Sequence, residues 1–145
     1  HIDHAYLLIA DSGVHGSTRQ AVGGLRRRYE QDPQGIGPLI ANLGALAHTG
    51  ITAMDRGDAP ALGAAMDQAH GVLAELGLSL PVLDHLTGAA RAAGALGAKL
   101  TGGGLGGCVI ALAGDQDAER VRSALGHAGA PATWAYRMRT SEVAA

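Results

Sequence analysis

"KLTGGGLGGCVIAL", residues 99–112, packs five glycines into the six positions 102–107 and then runs straight into apolar, β-prone residues. Gly102, Gly104 and Gly107 match the G-x-G-x-x-G dinucleotide fingerprint letter for letter. That fingerprint works where its glycines end a strand and open a helix whose N-terminal N–H groups hold a pyrophosphate. Here the glycines open "CVIAL", with β-branched Val109 and Ile110 and a stop at Gly114-Asp115, so the stretch reads as strand, glycine loop, strand. Strands joined so closely run antiparallel, which disfavours a doubly wound parallel sheet. A hairpin needs far fewer glycines, and each extra one costs roughly 0.5–1 kcal/mol of backbone entropy. Close approach to this backbone is therefore expected. Successive N–H groups in positive-φ turns form concave nests that favour anions, so a phosphate is the expected guest and a purely structural loop the alternative.

Working outward, residues 5–10, "AYLLIA", read as a buried strand ended by the turn cluster Asp11-Ser12-Gly13. Asp11, a strand-end residue before Ser-Gly, reads as an ordinary turn aspartate rather than a catalytic base. Ser17 with Gln20 forms a capping box for a helix carrying Val22, Leu25 and Tyr29 up to Pro33. Leu39, Leu43, Leu46 and Met54 mark a second helix. A third starts at Asp58-Ala59-Pro60 and stops at Gly77, and a fourth opens with Ser79 and Pro81 and ends at Gly94. Beyond the strands at 98–101 and 108–112, Asp117 caps a last helix with Val121 and Leu125, and residues 133–138 close the chain as a strand. The expected class is α+β: four strands, mainly antiparallel, packed on helices.

Bulk numbers narrow the function. The 145 residues suit one domain with a real core. With no Phe, that core must come from Leu, Ala, Val and Ile. Eleven basic against thirteen acidic residues, with no basic patch beyond Arg26 to Arg28, make nucleic acid an unexpected partner. No apolar run is long enough to span a membrane. The start shows no signal-peptide pattern. The single Cys108 suits a reducing, cytoplasmic setting and reads as a small strand hydrophobe. His1 and His4 lack a third ligand nearby, and His15, His48, His70, His85 and His127 are scattered without ligand spacing, so no metal site is expected within the chain. The sequence starts at "HIDHAYLLIADSG" without methionine and looks like a piece of a longer polypeptide.

With both motifs placed, the chain resembles the C-terminal half of the GHMP small-molecule kinases, in their mevalonate-phosphorylating branch. "KLTGGGLGGC" resembles that family's third motif, and "IADSGVHGSTRQAV", residues 9–22, resembles the segment that enters the C-terminal domain and lines the mevalonate pocket. The resemblance covers nearly the whole chain. It implies a ferredoxin-like C-terminal domain over residues 1–145 and a whole enzyme that transfers the γ-phosphoryl of ATP, with Mg2+, to the primary hydroxyl of mevalonate. It places Thr101, Gly102, Gly103, Gly104, Gly106 and Gly107 near the nucleotide phosphates, and Thr18, with Ser17, at the substrate. An idle helical hydroxyl is the other reading of Thr18. Lys99 either adds positive charge to the loop or is a solvated strand-end lysine.

Two departures stand out: Leu105 where many relatives have glycine, and Gly16 where some have arginine. The family's Ser-containing phosphate loop, its magnesium carboxylate and its catalytic aspartate–lysine pair belong to an N-terminal half that no segment here matches. The expected partner is that N-terminal domain, a homodimer is possible, no tightly bound cofactor is expected on this chain alone, and the chain alone is expected to be inactive. A kinase for another small alcohol in the superfamily, or a stand-alone ferredoxin-like ligand-sensing or interaction domain, are the competing readings.

Overall fold

Alternation of inward and outward residues in "AYLLIAD" produces the first strand, β1 (Ala5–Asp11), with Leu8 and Ala10 fully buried. The computed structural model describes residues 2–139, so His1 and the C-terminal residues 140–145 lie outside the described residues. The elements α1 (Thr18–Gln31), α2 (Pro33–Arg56), α3 (Ala59–Glu75), α4 (Pro81–Ala92), β2 (Gly97–Leu100), β3 (Cys108–Gly114), α5 (Ala118–His127) and β4 (Thr133–Arg137) follow in that order. The strands form one sheet, ordered β2-β3-β1-β4, in which every neighbouring pair is antiparallel. This is the α+β class expected from the strand–loop–strand reading, in the ferredoxin-like arrangement that the family resemblance implies.

One sheet face, with Leu8, Ala10, Leu100, Val109 and Ala111, packs against Leu83, Leu86 and Ala90 of α4 and Val121 and Leu125 of α5. Helices pack on the other face as well. A second cluster, Ile2, Ala5, Met66 and Leu112 with Leu62 and Leu7, sets α3 against the β2 end of the opposite face. There Gly63 and Gly97 meet backbone to backbone, where a side chain on either would overlap the other's strand or helix. A third cluster of Ile36, Val72 and Leu76 joins the α2–α3 hairpin to α1 through Leu25.

Local signals differ from expectation at several ends. Ser17 caps α1 by accepting the Gln20 N–H at 3.3 Å. Asp32 and Asp58 cap α2 and α3 through Gly35 N–H and Ala61 N–H, each at 2.9 Å. Pro33 opens α2 at its first turn instead of merely ending α1. Ser79 does not cap α4: its hydroxyl donates to the Asp84 carboxylate at 2.6 Å, and Leu80 holds the cap position. Asp117 holds the α5 cap position without bonding the helix, because its carboxylate pairs with Arg120. Strand β2 ends one residue early, leaving Thr101 in the loop.

Candidate functional site

The glycine loop is packed by its own chain on one side and open on the other. Gly102, Gly104, Gly106 and Gly107 all have positive φ, from 79° to 138°. A methyl group on Gly104 would sit 2.4 Å from the Leu78 carbonyl oxygen, and one on Gly106 would sit 2.6 Å from the Val14 carbonyl oxygen and Gly16 nitrogen. The close approach expected at these positions is therefore made by the protein backbone itself. Two hydrogen bonds fix it: Leu105 N–H donates to Leu78 O and Gly107 N–H to Val14 O, each at 2.8 Å. Leu105, at φ 58°, adopts the left-handed conformation despite its side chain. Gly16 completes the contact, since a methyl group there would lie 2.7 Å from the Gly104 carbonyl oxygen. That backbone contact leaves no room for an arginine at position 16 and accounts for the glycine.

Gly102 has nothing within 4 Å of its missing side chain. The N–H groups of Gly102, Gly103 and Gly106 find no acceptor among the described residues. They border a cleft of about 360 Å³ lined by all six loop residues expected from the sequence, together with Gly16, Thr18 and Cys108. Thr18 is the first residue of α1, so the positive end of that helix dipole borders the same cleft. Its hydroxyl lies beside Gly103, 3.1 Å from where a side chain would start. Unpaired N–H donors, two threonines and a helix N-terminus around one concavity are groups that can accept negative charge, the chemistry expected of this loop from the sequence. Ser17 is not in the lining, its oxygen being used by the α1 cap. Among the described residues no carboxylate lines the cleft, and no cluster of His, Cys, Asp or Glu could hold a metal ion.

Three further residues sharpen the picture. Asp11 Oδ1 accepts the Gly13 N–H at 2.9 Å, the turn role read from the sequence. Cys108 is half-buried, and burial together with the nearby Asp11 carboxylate pushes its thiol up. It stays a neutral wall of the cleft. Lys99 is absent from the lining of the phosphate cleft: the residue is half-buried, its ammonium donates to Leu100 O at 2.7 Å, and it lines a different groove, between α2 and α3.

His70, one of the scattered histidines, supports the site. Its Nδ1 accepts the Leu100 N–H at 3.1 Å, one residue before the loop, so its ring proton sits on Nε2, 2.8 Å from Asp84 Oδ1. Asp67 does the same for the Ala98 N–H at 2.8 Å and pairs with Arg91 at 3.0 Å. Helix α3 thus satisfies the outward N–H groups of the edge strand β2 with side chains spaced one turn apart. No sequence signal announces this, because Asp67 and His70 are some thirty residues from their partners.

Comparison with known proteins gives the fold a family. Residues 51–131 match the family model described as GHMP kinases C terminal. A mevalonate kinase from Pyrococcus abyssi is 42% identical over 112 residues, covering 74% of this chain and 33% of that protein. One from Aeropyrum pernix is 39% identical over 114 residues, covering 79% and 35%. The chain thus spans about a third of the length of the curated relatives it matches. Among solved structures, L. major mevalonate kinase in complex with R-mevalonate superposes with a TM-score of 0.88 over 97% of this chain and 44% of that one, at 28% identity. A Lactococcus lactis galactokinase, at 19% identity and a TM-score of 0.72 over 94% of this chain and 45% of that one, shares the fold. With its sheet order, its glycine loop and more than half its length matched by one family model, the chain belongs to the GHMP kinases, as their C-terminal domain.

Proposed function

We propose that this chain is the C-terminal part of an ATP-dependent mevalonate kinase and supplies one wall of its phosphoryl-transfer cleft. The observation that carries the reading is the set of N–H groups at Gly102, Gly103 and Gly106 that find no acceptor among the described residues, on a loop that lines one cleft with Thr18 and Thr101. The mevalonate kinases among the relatives support the substrate.

In this reading MgATP supplies the transferable γ-phosphoryl group and the cation that offsets its charge. The loop donors and the α1 N-terminus hold phosphate oxygens and stabilise the charge that shifts between them during transfer. Thr18 sits at the rim beside Gly103 and orients the alcohol. A P–O bond forms to the primary hydroxyl as the bond to the ADP oxygen breaks, and the hydroxyl proton leaves to a base. That base and the metal carboxylates come from outside this chain's cleft, which has no carboxylate in its lining. Residues 1–145 are therefore one half of a two-part active site, completed by an N-terminal domain.

The complete protein is tested against a panel of mevalonate, phosphomevalonate, galactose and homoserine with ATP. ADP release and phosphate incorporation that favour mevalonate support the reading. A preference for any other alcohol, or no transfer to any, overturns it.

A further inference from the structure

The α2–α3 hairpin leaves a second groove, of about 420 Å³, distinct from the phosphate cleft and sharing only Gly102 with it. That volume falls within the roughly 300–1,000 Å³ of small-molecule sites. Its walls are hydrocarbon: Leu43, Leu46 and Ile51 from α2 face Leu62, Met66 and Leu73 from α3. Ile51 stays 51% exposed, an apolar side chain left facing solvent at the rim. Among the described residues, Lys99 is the one charged residue in the lining. Its ammonium donates to the Leu100 carbonyl, with no acidic partner among the described residues. An ammonium carries three donors, so one carbonyl leaves it underused. Burial holds the amine below the usual lysine range. A partly desolvated cation without a counter-charge carries a cost that an anion would relieve.

We propose that this groove binds a single-chain amphiphile with an anionic head, the head on Lys99 Nζ and the hydrocarbon tail between α2 and α3. Apolar walls select the tail, and the lone cation at one place selects the sign of the head.

Calorimetric titration of the protein with decanoate, decanol and decyltrimethylammonium, each below its micelle concentration, tests this. Decanoate is expected to bind saturably at one site, roughly tenfold tighter than decanol, as one charge-assisted contact implies, with the cationic amphiphile weakest. Lys99→Met, which keeps the aliphatic stem, removes the preference for decanoate over decanol. Ala47→Phe, at an exposed position lining the groove, fills it and weakens both ligands even if the lysine variant fails to fold. Equal binding of the three amphiphiles, a decanoate preference that survives Lys99→Met, affinity untouched by Ala47→Phe, or no saturable binding would each overturn the proposal. Binding is read without any kinase assay, so failure here leaves the proposed activity standing, and the converse also holds.

Discussion

At the scale of single residues, the glycines of the loop divide into two jobs that their letters do not distinguish. Gly104 faces the Leu78 carbonyl, whereas Gly102 faces open space, although their φ values of 82° and 79° are nearly the same. Gly102→Ala should therefore cost only the left-handed penalty of about 1–2 kcal/mol. Gly104→Val adds overpacking of about 1–3 kcal/mol to strain of similar size and should melt well below it. Thermal unfolding of the two variants side by side checks this, and equal melting points would mean that the Leu78 contact yields freely. In Gly104→Val any loss of activity would follow from a displaced loop, since the added side chain meets Leu78. Thr18 has no such structural duty, because Ser17 caps the helix. If its hydroxyl makes one hydrogen bond to the alcohol, Thr18→Ala loses about 0.5–1.5 kcal/mol and raises KM for mevalonate several-fold while leaving KM for ATP. An unchanged KM would return Thr18 to a helical role only.

At the scale of elements, the site depends on α3 holding the edge of β2. His70 is 5% exposed and accepts the buried Leu100 N–H. His70→Leu leaves that N–H without a partner, which costs about 1–3 kcal/mol and should appear as a lower urea midpoint. Burial works against the Asp84 carboxylate beside it, but hydrogen bonds from Ser79 and His70 and the charge of Arg91 outweigh it and hold Asp84 below its ordinary value of 3.8. A lowered folded value means that the stability Asp84 contributes is present above about pH 4 and is lost as pH falls through the folded value. The stability gap between the native protein and Asp84→Asn should therefore close below pH 3.8. A gap that stays constant down to acid unfolding would show that the carboxylate charge is not what the network uses. These elements also mark where sequence reading runs out. Hydrophobic spacing, Pro and Gly placement and acidic caps made β1, the helices and the hairpin legible, because each signal is local. The edge clamp of Asp67 and His70 depends on side chains meeting strands far along the chain, and neither residue sits in a pattern that announces it.

At the scale of the whole molecule, the glycine-rich stretch predicted the antiparallel hairpin, since glycine tolerates the positive φ that its connecting loop adopts. What approaches the loop was not legible: the sequence cannot separate packing by Leu78, Val14 and Gly16 from packing by a ligand, and the fold shows the first of these. On β4, Trp134 and Tyr136 stand 52% and 66% exposed, on the same sheet face as Leu7 and Ile9, with which they pair. If an N-terminal domain covers such apolar surface in the complete protein, residues 1–145 expressed alone should self-associate and bind a hydrophobic dye. A monomer that binds no dye would argue that this face is finished as it stands. The same chain should show no ATP-dependent phosphorylation of mevalonate, and turnover above a heat-treated control would contradict the two-part site. The central claim, that the bare backbone of the loop holds phosphate, is tested most directly by following backbone amide chemical shifts of the complete protein during titration with ATP. The account predicts that the amides of Gly102, Gly103 and Gly106 shift most within this part of the chain, with Thr18 following and Gly107, already bonded to Val14, moving little; loop amides that stay still while ATP binds would contradict it.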